Sequence, residues 1–485
     1  MPTNSLTLNQ LDFKALEENI HQEALKHARE RLKHILGNLD EQIMKTRDKA
    51  KYRYIHKKTT TLKSVMGEVE YSRILYRYKN EDGKKQYIYL LDKHLGMNNI
   101  GMMTENLVEK IIDNATNISY RKTAQNITNL TGQSISHSAA WNTVQKLGQK
   151  IQDKENKLIK AYEHGNLKGE KQIPILFEEA DGIYLNMQGK DRKGGRKKEL
   201  KLAITYEGWQ KRYPGKCKEY TVINKNAVAG FHSSEQFQDL FEAVISQKYD
   251  TEKIGLRILN GDGASWIKEM SKTAIKHYQL DRFHIHQAIH RNIYDKKEAK
   301  KISELIKDQQ PEEALFHIEK LKYQCGGEIK EVEKLKKLQN YLMGNTDGLI
   351  PYKQRKGLKL PKPPKGVYYR ELGTMEHNIC DIIYIRMKRR KMSWSINGAT
   401  NLAKILALKA GGKLYDAIKE LLSSNLSEML AQSYKEEIRN PVTCSKKTPQ
   451  NTYPIAKGGM PFAGASVTGG RKAIQDLIKY SGQHI

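Results

Sequence analysis

Between residues 171 and 286 the apolar pattern alternates between the period of about 2 that marks a strand and the period of about 3.6 that marks a helix. Strand-like runs come first: QIPILFEEADGIYLNMQ, ELKLAITYEGW and EYTVINKNAVAGF. The amphipathic helical run SSEQFQDLFEAVISQKY follows, then the buried-strand run KIGLRILNGDG, the helix ASWIKEMSKTAIKHY, the short strand YQLDRFHI and a further helix. No other feature constrains the fold as much, because this order dictates which strand ends share one edge of a sheet.

Hairpin-joined strands followed by alternating helix and strand predict an α/β fold with a ribonuclease-H-like core. The flanks are read around it. Residues 11–58 read as one long charged helix in which Ile20, Leu25, Leu32 and Ile35 keep a helical period, a helix for oligomerisation or packing. TTTLKSVMGEVEYSRILYRYK reads as a β-hairpin about Gly67 and QYIYLLDKHLG as another short strand, so residues 1–105 form a helix and small hairpin domain.

Residues 106–150 are helical. A helix from Ser119 to Leu130, a turn at Gly132 and a second helix through Leu147, capped by Ser136 or Ser138, share a seam of Ala124, Ile127, Ile135, Trp141 and Val144. The size suits a helix-turn-helix with His137, Asn142 and Lys146 on its DNA-reading face, and a plain helical hairpin has the same pattern. Residues 171–286 are the first part of the core and 287–366 a helical insertion that closes in a Pro-, Gly- and Lys-rich linker at 346–366. Residues 367–435 return to the core with two helices, and 436–485 form a tail carrying the loop GGMPFAGASVTGG. The expected architecture is thus a ribonuclease-H-like core with an all-helical insertion, preceded by a mixed α+β and helical N-terminal region.

In such a core the functional acids have assigned places. Asp262 stands alone in Gly-Asp-Gly at the tip of the buried run, where glycines permit a sharp turn and close approach of a ligand. On the first strand the candidates are Glu178, Glu179 and Asp181. The third place falls to Glu376, in the first turn of a helix begun by Gly373-Thr374 with Thr374 as its cap, and Asp381 is the rival. Each acid alone has an ordinary reading, as a solvent-facing acid at a bend or a complement to a helix dipole. As an ordered set they would hold two divalent ions, Mg²⁺ or Mn²⁺, which activate water or a 3′-hydroxyl and stabilise the leaving oxygen at a phosphodiester. LDRFH adds Asp281 and His284 as supporting groups.

Charge agrees with a polyanionic partner. The chain of 485 residues carries a formal net charge of +29, from 84 Lys+Arg against 55 Asp+Glu. RMKRRK places Arg386, Lys388, Arg389, Arg390 and Lys391 on the helix that Glu376 begins. KDRKGGRKKEL places Lys190, Arg192, Lys193 and Arg196 in a loop that grips a DNA backbone or forms a solvated hairpin tip. Trp394 reads as a core residue between two helices. The cysteines Cys217, Cys325, Cys380 and Cys444 are too scattered for a zinc site or a disulfide framework, and HIHQAIH has no zinc spacing. Without a signal peptide or a membrane-spanning apolar run, the expected place is the cytoplasm, in association with the nucleoid.

Asp181, Asp262, Glu376, the D-x-x-H element and GTMEHNICDIIYIRMKRRKMSWSINGATNLAKI together resemble the DDE transposases of bacterial insertion sequences, the ISLre group in particular, with wider similarity to mutator-like transposases. The similarity spans nearly the whole chain, and the block from Gly373 to Ala407 is its most specific part. It implies metal-dependent DNA cleavage at element ends and strand transfer into target DNA. Asp181, Asp262 and Glu376 would be the catalytic metal ligands, and terminal inverted repeats and target DNA the partners of a homo-oligomer assembled on DNA. Two other readings fit the residues: a non-catalytic helix-turn-helix DNA-binding protein, and a nuclease of the same fold without strand transfer.

Overall fold

The computed structural model describes residues 12–422 except 97–100, 214, 216–217, 272–274 and 326–327. The expected tail at 436–485, its glycine-rich loop, Cys217 and Cys444 lie outside the described residues. Those described belong to one compact unit, Met1–Asn425.

Helix α1 (Phe13–Thr46) ends earlier than its charge pattern predicts. Tyr52–His56 is aromatic and β-branched, a composition that favours strand, and Arg53 already belongs to β1 (Arg53–Ser64). β1 turns into β2 (Gly67–Lys79) with Ser64 opposite Gly67, whose φ of 102° closes the expected hairpin. β3 (Lys85–Tyr89) completes an antiparallel sheet of order β1-β2-β3 and runs into the short α2 (Leu90–His94). α1 packs on β2 through its second half, where Leu36, Leu39 and Ile43 are buried.

Three helices follow: α3 (Glu105–Asn117), α4 (Tyr120–Thr131) and α5 (His137–Glu163). Ser119 and Ser136 cap α4 and α5 through their side chains, and Gly132, at φ 67°, ends α4. Ala124, Ile127, Ile135 and Val144 are buried as the seam requires, but Trp141 is 44% exposed. Ala140, Thr143, Val144, Leu147 and Ile151 define the buried stripe of α5, and Trp141 sits about 100° around the helix from Ala140.

The central sheet comprises β4 (Ile175–Met187), β5 (Lys197–Tyr206), β8 (Asn226–Gly230), β9 (Leu256–Gly261) and β10 (Lys276–Leu280), in the order β10-β9-β4-β5-β8. β5 runs antiparallel to both β4 and β8, whereas β9 is parallel to both β4 and β10. The predicted third strand is divided. Its first part, β7 (Tyr220–Val222), pairs with β6 (Trp209–Lys211) in a separate ribbon, Asn224 turns the chain at φ 54°, and only β8 joins the main sheet. α6 (Ser234–Lys248) and α7 (Ser265–Met270) cover one face through Phe237, Leu240, Phe241, Ile267 and Met270.

The insertion consists of α8 (Arg282–Asn292), α9 (Lys296–Lys307), α10 (Pro311–Gln324), α11 (Ile329–Met343) and α12 (Thr346–Leu349) around its own core, which includes Ile289, Ile302, Ile318, Leu338 and Leu342. The predicted linker is not free at its start. Tyr352 is fully buried, edge-on to Phe177, and its hydroxyl donates to the Arg370 carbonyl at 2.6 Å.

Beyond it a continuous helix runs from Met375 to Met387: α13 (Met375–Asn378), a π-helical turn (Ile379–Tyr384) and α14 (Ile385–Met387). β11 (Ser393–Trp394) pairs in parallel with the end of β4. α15 (Ile396–Ala410), ended by Gly411 and Gly412, and α16 (Leu414–Leu422) complete the described chain. α15 and α5 touch so closely that a Cβ on Gly148 would stand 2.4 Å from the Asn401 side chain. Gln152 donates to Asn401 at 2.5 Å and Asn401 to Gln145 at 2.7 Å, so α5 buttresses the central fold along its length.

Candidate metal centre

Strand register assembles the acids. Ala180 lies opposite Gly261, and Gly261 opposite Leu280, in one row across the adjacent parallel strands β4, β9 and β10. The next residue on each strand is an aspartate: Asp181, Asp262 and Asp281. β9 and β10 end at this level beside Asp181, which lies in mid-strand on β4, so register brings the three acids to one row of the fold. Ala180, Asp181, Gly261, Asp262, Asp281, His284, Met375 and Glu376 line one small cleft there.

Within the cleft one ligand atom each from Asp181, His284 and Glu376 lie within 4.8 Å of one another. Asp181 is buried, His284 half-buried and Glu376 exposed. Asp262 lines the same space, while one of its oxygens accepts the Ala264 N–H at 2.9 Å and shapes the turn. The expected set of Asp181, Asp262 and Glu376 is therefore brought together, and His284, expected only as support, belongs among the potential ligands. Asp381, the rival to Glu376, faces away and pairs with His377 at 2.9 Å on an exposed surface.

The glycines beside Asp262 permit the expected turn and also make room for neighbouring side chains. A Cβ on Gly261 would stand 2.6 Å from Ile267, and Gly263, at φ 96°, lies against the Asn345 side chain. Gly261 also lines the cleft.

Asp281 is turned to structure. It caps α8 by accepting the Phe283 N–H at 2.8 Å, and its other oxygen accepts the Asn260 side-chain amide at 2.6 Å. Because Asp281 is the cap, His284 falls in the first turn of α8 with its Nε2 3.8 Å from Asp181.

Glu179 plays the matching role for Glu376. Its fully buried carboxylate accepts the backbone N–H groups of Gly373, Thr374 and Met375 at 3.0–3.3 Å, together with the Thr374 hydroxyl. Thr374 was the expected cap, yet its side chain makes no capping bond to its own helix. A carboxylate at a helix start satisfies orphan N–H groups and complements the dipole. Tyr206 and Asn260 also donate to Glu179, at 2.6 and 3.0 Å. Asn260 thus ties together the two acids that cap the helices of His284 and Glu376.

Glu178 faces the opposite side of the sheet, among Arg257, Glu242 and Lys276 in a buried ion-pair network. The crowd of acids on the first strand therefore resolves by strand alternation: Glu178 on one face, Glu179 and Asp181 on the other.

Electrostatics mark the cleft. Burial raises the Asp262 carboxyl above its usual range; the Ala264 N–H opposes this, the Asp181 charge adds to it and His284 offsets part. Burial lowers the His284 imidazole, but the charges of Asp181, Asp281 and Asp262 outweigh that and raise it overall. Glu179 is raised, chiefly by burial, against the pull of its Thr374, Tyr206 and Asn260 donors.

The basic candidates divide. Lys190, Arg192, Lys193 and Arg196 are exposed in the loop between β4 and β5. Asp191 of that loop accepts the Ile396 N–H at 2.8 Å and Gln188 donates to the Trp394 carbonyl at 2.9 Å. These ties bring the loop beside exposed Arg389, Arg390 and Lys391, with Lys388 half-buried. The four basic residues from Lys388 lie past the helix that ends at Met387, not on it.

Arg386 is not a surface residue. It is 3% exposed, donates to the Ala115 carbonyl at 2.6 Å and lies over the rings of Tyr120 and Trp394. Trp394 is buried as expected, its Nε1 donating to the Met387 carbonyl at 2.8 Å. His137, Asn142 and Lys146 are exposed on α5.

Fold and site together define a mixed α/β protein with a carboxylate and histidine cleft where β9 and β10 end beside the middle of β4. Residues 6–420 match the model of a family described as "Uncharacterised protein family (UPF0236)", and the chain belongs to that family. One relative is a UPF0236 protein of Caldanaerobacter subterraneus subsp. tengcongensis whose name joins eleven locus designations. It is 24% identical over 473 residues, covering 92% of this chain and 89% of the relative. A second from the same organism, whose name joins four, is 24% identical over 415 residues, covering 84% and 80%. The "UPF0236 protein in vanSb 3'region" of Streptococcus gallolyticus is 23% identical over 372 residues, covering 72% of each chain.

Proposed function

We propose that the chain is a transposase that binds insertion-sequence ends and catalyses metal-dependent DNA cleavage and strand transfer. The observation that carries this reading is the convergence of Asp181, His284 and Glu376, from three separate segments, within 4.8 Å, with Asp262 in the same cleft. The strand order supports a ribonuclease-H-like core: the first strand is central, with antiparallel β5 on one side and parallel β9 on the other. A relative whose name joins eleven locus designations reads as a gene in many copies, which is what a mobile element leaves in a genome.

The donor set fits a divalent cation. Carboxylate oxygens suit Mg²⁺ and Mn²⁺, and an imidazole is better tolerated by Mn²⁺. Divalent ions held by Asp181, Asp262, Glu376 and His284 would activate water or a 3′-hydroxyl and stabilise a leaving oxygen at phosphorus. Glu179 and Asp281 fix the helices that present Glu376 and His284. His284, whose imidazole the surrounding carboxylates raise, would have to give up its proton before joining the ligands, so cation binding would compete with protonation there. From Asp181 to Met187 β4 climbs roughly 20 Å, at about 3.3 Å per residue, toward the exposed basic loop and the Arg389–Lys391 turn, a path for a DNA backbone.

The test is incubation of purified protein with duplexes carrying the element ends, in Mg²⁺ or Mn²⁺. End-specific nicking and joining are expected, and both should vanish with chelator and in Asp181→Asn. Binding of end DNA with neither reaction in either metal would leave a non-catalytic DNA-binding protein. Cleavage without joining would leave a nuclease.

A further inference from the structure

Beneath the acids lies a second polar row. Glu179 stands opposite Asn260, and Asn260 opposite Gln279, in the register of β4, β9 and β10. Strand alternation puts the three on the face of Asp181, Asp262 and Asp281, two residues earlier on each strand. All three are buried, at 0–1% exposure. Apolar side chains would fill this place at lower cost, since every buried polar group has to find a partner. What the polar row adds is direction.

The direction starts at a backbone group that cannot be reversed. The Tyr352 N–H donates to Gln279 Oε1 at 2.8 Å, which leaves Gln279 Nε2 facing Asn260 Oδ1 at 3.5 Å. Asn260 Nδ2 is thereby turned to both acids, donating to Glu179 at 3.0 Å and to Asp281 at 2.6 Å. Glu179 in turn accepts the Thr374 N–H at 3.0 Å and starts the helix of Glu376. Asp281 accepts the Phe283 N–H at 2.8 Å and caps the helix of His284. One amide, with one proton for each acid, therefore stands behind both helix starts. Without it the two carboxylates would face each other with no shared donor, and like charges repel.

We propose that Asn260 is a positioning residue: by holding Glu179 and Asp281 with one amide it sets Glu376 and His284 relative to each other, and Gln279 orients it. The inference rests on the reading of the cleft as a cation site. It is tested on the full chain, free of DNA, by Mn²⁺ calorimetry and by amide hydrogen exchange without metal. In Asn260→Ala the Mn²⁺ affinity should fall roughly 10–100-fold, and the N–H groups of Phe283 and of Gly373–Met375 should exchange faster together. Gln279→Glu keeps an acceptor for Tyr352 but presents another to Asn260, drawing its amide protons from the acids. The same losses are expected there with Asn260 in place. Asn226→Ala removes a buried amide from β8, at the far edge of the sheet, and should leave Mn²⁺ affinity unchanged. Unchanged affinity in Asn260→Ala, or in Gln279→Glu where the former does not fold, overturns the positioning role and leaves the cation site standing. An equal fall in Asn226→Ala overturns it too, because the effect is then one of general destabilisation. Faster exchange at only one helix start overturns the coupling, and loss in Asn260→Ala alone overturns the part of Gln279. A wild-type protein that binds no Mn²⁺ overturns the cation reading and the positioning role with it.

Discussion

Glu179 and Thr374 stand 195 residues apart in the chain, and the carboxylate of the first accepts the backbone N–H of the second at 3.0 Å. A strand acid thereby starts the helix that presents Glu376. Local sequence around Thr374 offers a cap of the usual kind; the fold uses a distant carboxylate instead, able to serve several N–H groups at once.

Glu179→Gln should therefore damage both stability and the site. The substituted amide presents N–H donors to a helix start that already lacks acceptors. Loss of a buried charge-assisted acceptor predicts destabilisation of about 1–3 kcal/mol, read from urea unfolding. Mn²⁺ affinity, followed by calorimetry, should fall roughly 10–100-fold although Glu179 lies behind the ligands. Unaltered Mn²⁺ affinity in a folded Glu179→Gln protein would show that Glu376 needs no such positioning.

Asp262→Asn should separate binding from chemistry. Asparagine keeps an oxygen for the Ala264 N–H, and it removes a carboxylate that burial and Asp181 already disfavour. The melting temperature should hold or rise, affinity for element ends should persist, and nicking should fall by more than about 100-fold. Cleavage at the wild-type rate would remove Asp262 from the reaction.

Arg386 and Arg390 should behave oppositely despite sharing one basic run. Arg386→Ala strips a buried guanidinium from the Ala115 carbonyl and from two rings, and should cost about 2–4 kcal/mol in stability. Arg390→Ala should leave the melting temperature unchanged while reducing the salt slope of DNA binding by about one. Equal melting temperatures for the two variants would contradict the burial of Arg386.

Asp40 makes the N-terminal hairpin domain sensitive to pH. Its carboxyl, buried between α1 and the hairpin, is raised to about 6, chiefly by burial, with Ile74 and Lys57 pulling the other way. Between about pH 4 and 6 the folded chain keeps a proton that the unfolded chain has released. This contribution to stability is full below that window and is lost as pH rises through it. Asp40→Asn should abolish the loss and stabilise the protein at pH 7 by on the order of 2–3 kcal/mol. Parallel stability curves for the two proteins across pH 4–7 would refute it.

Much of this was legible in the chain. Period located β4, β5, α6 and β9, because a strand or helix with a buried face must repeat its apolar residues at its own pitch, whereas β10 (Lys276–Leu280) begins inside the expected helix ASWIKEMSKTAIKHY and ends before the expected strand YQLDRFHI does. Asp181 stood out within the first strand, Asp262 at a strand tip, Asp281 and His284 beside the next strand and Glu376 at a helix start, and they meet in one cleft. Alternation also dictates that Glu178 opposes Glu179 and Asp181. Which of those faces is the cleft was decided only when Arg257, Glu242 and Lys276 gathered around Glu178 from separate elements. The same holds for Arg386, basic by sequence and interior by packing, for Trp141, apolar by sequence and exposed by one step around α5, and for Glu179 as the cap of a helix far along the chain. Period and turn chemistry are properties of neighbours in sequence, whereas burial and charge pairing belong to neighbours in space, which exist only once strand register has brought distant segments together.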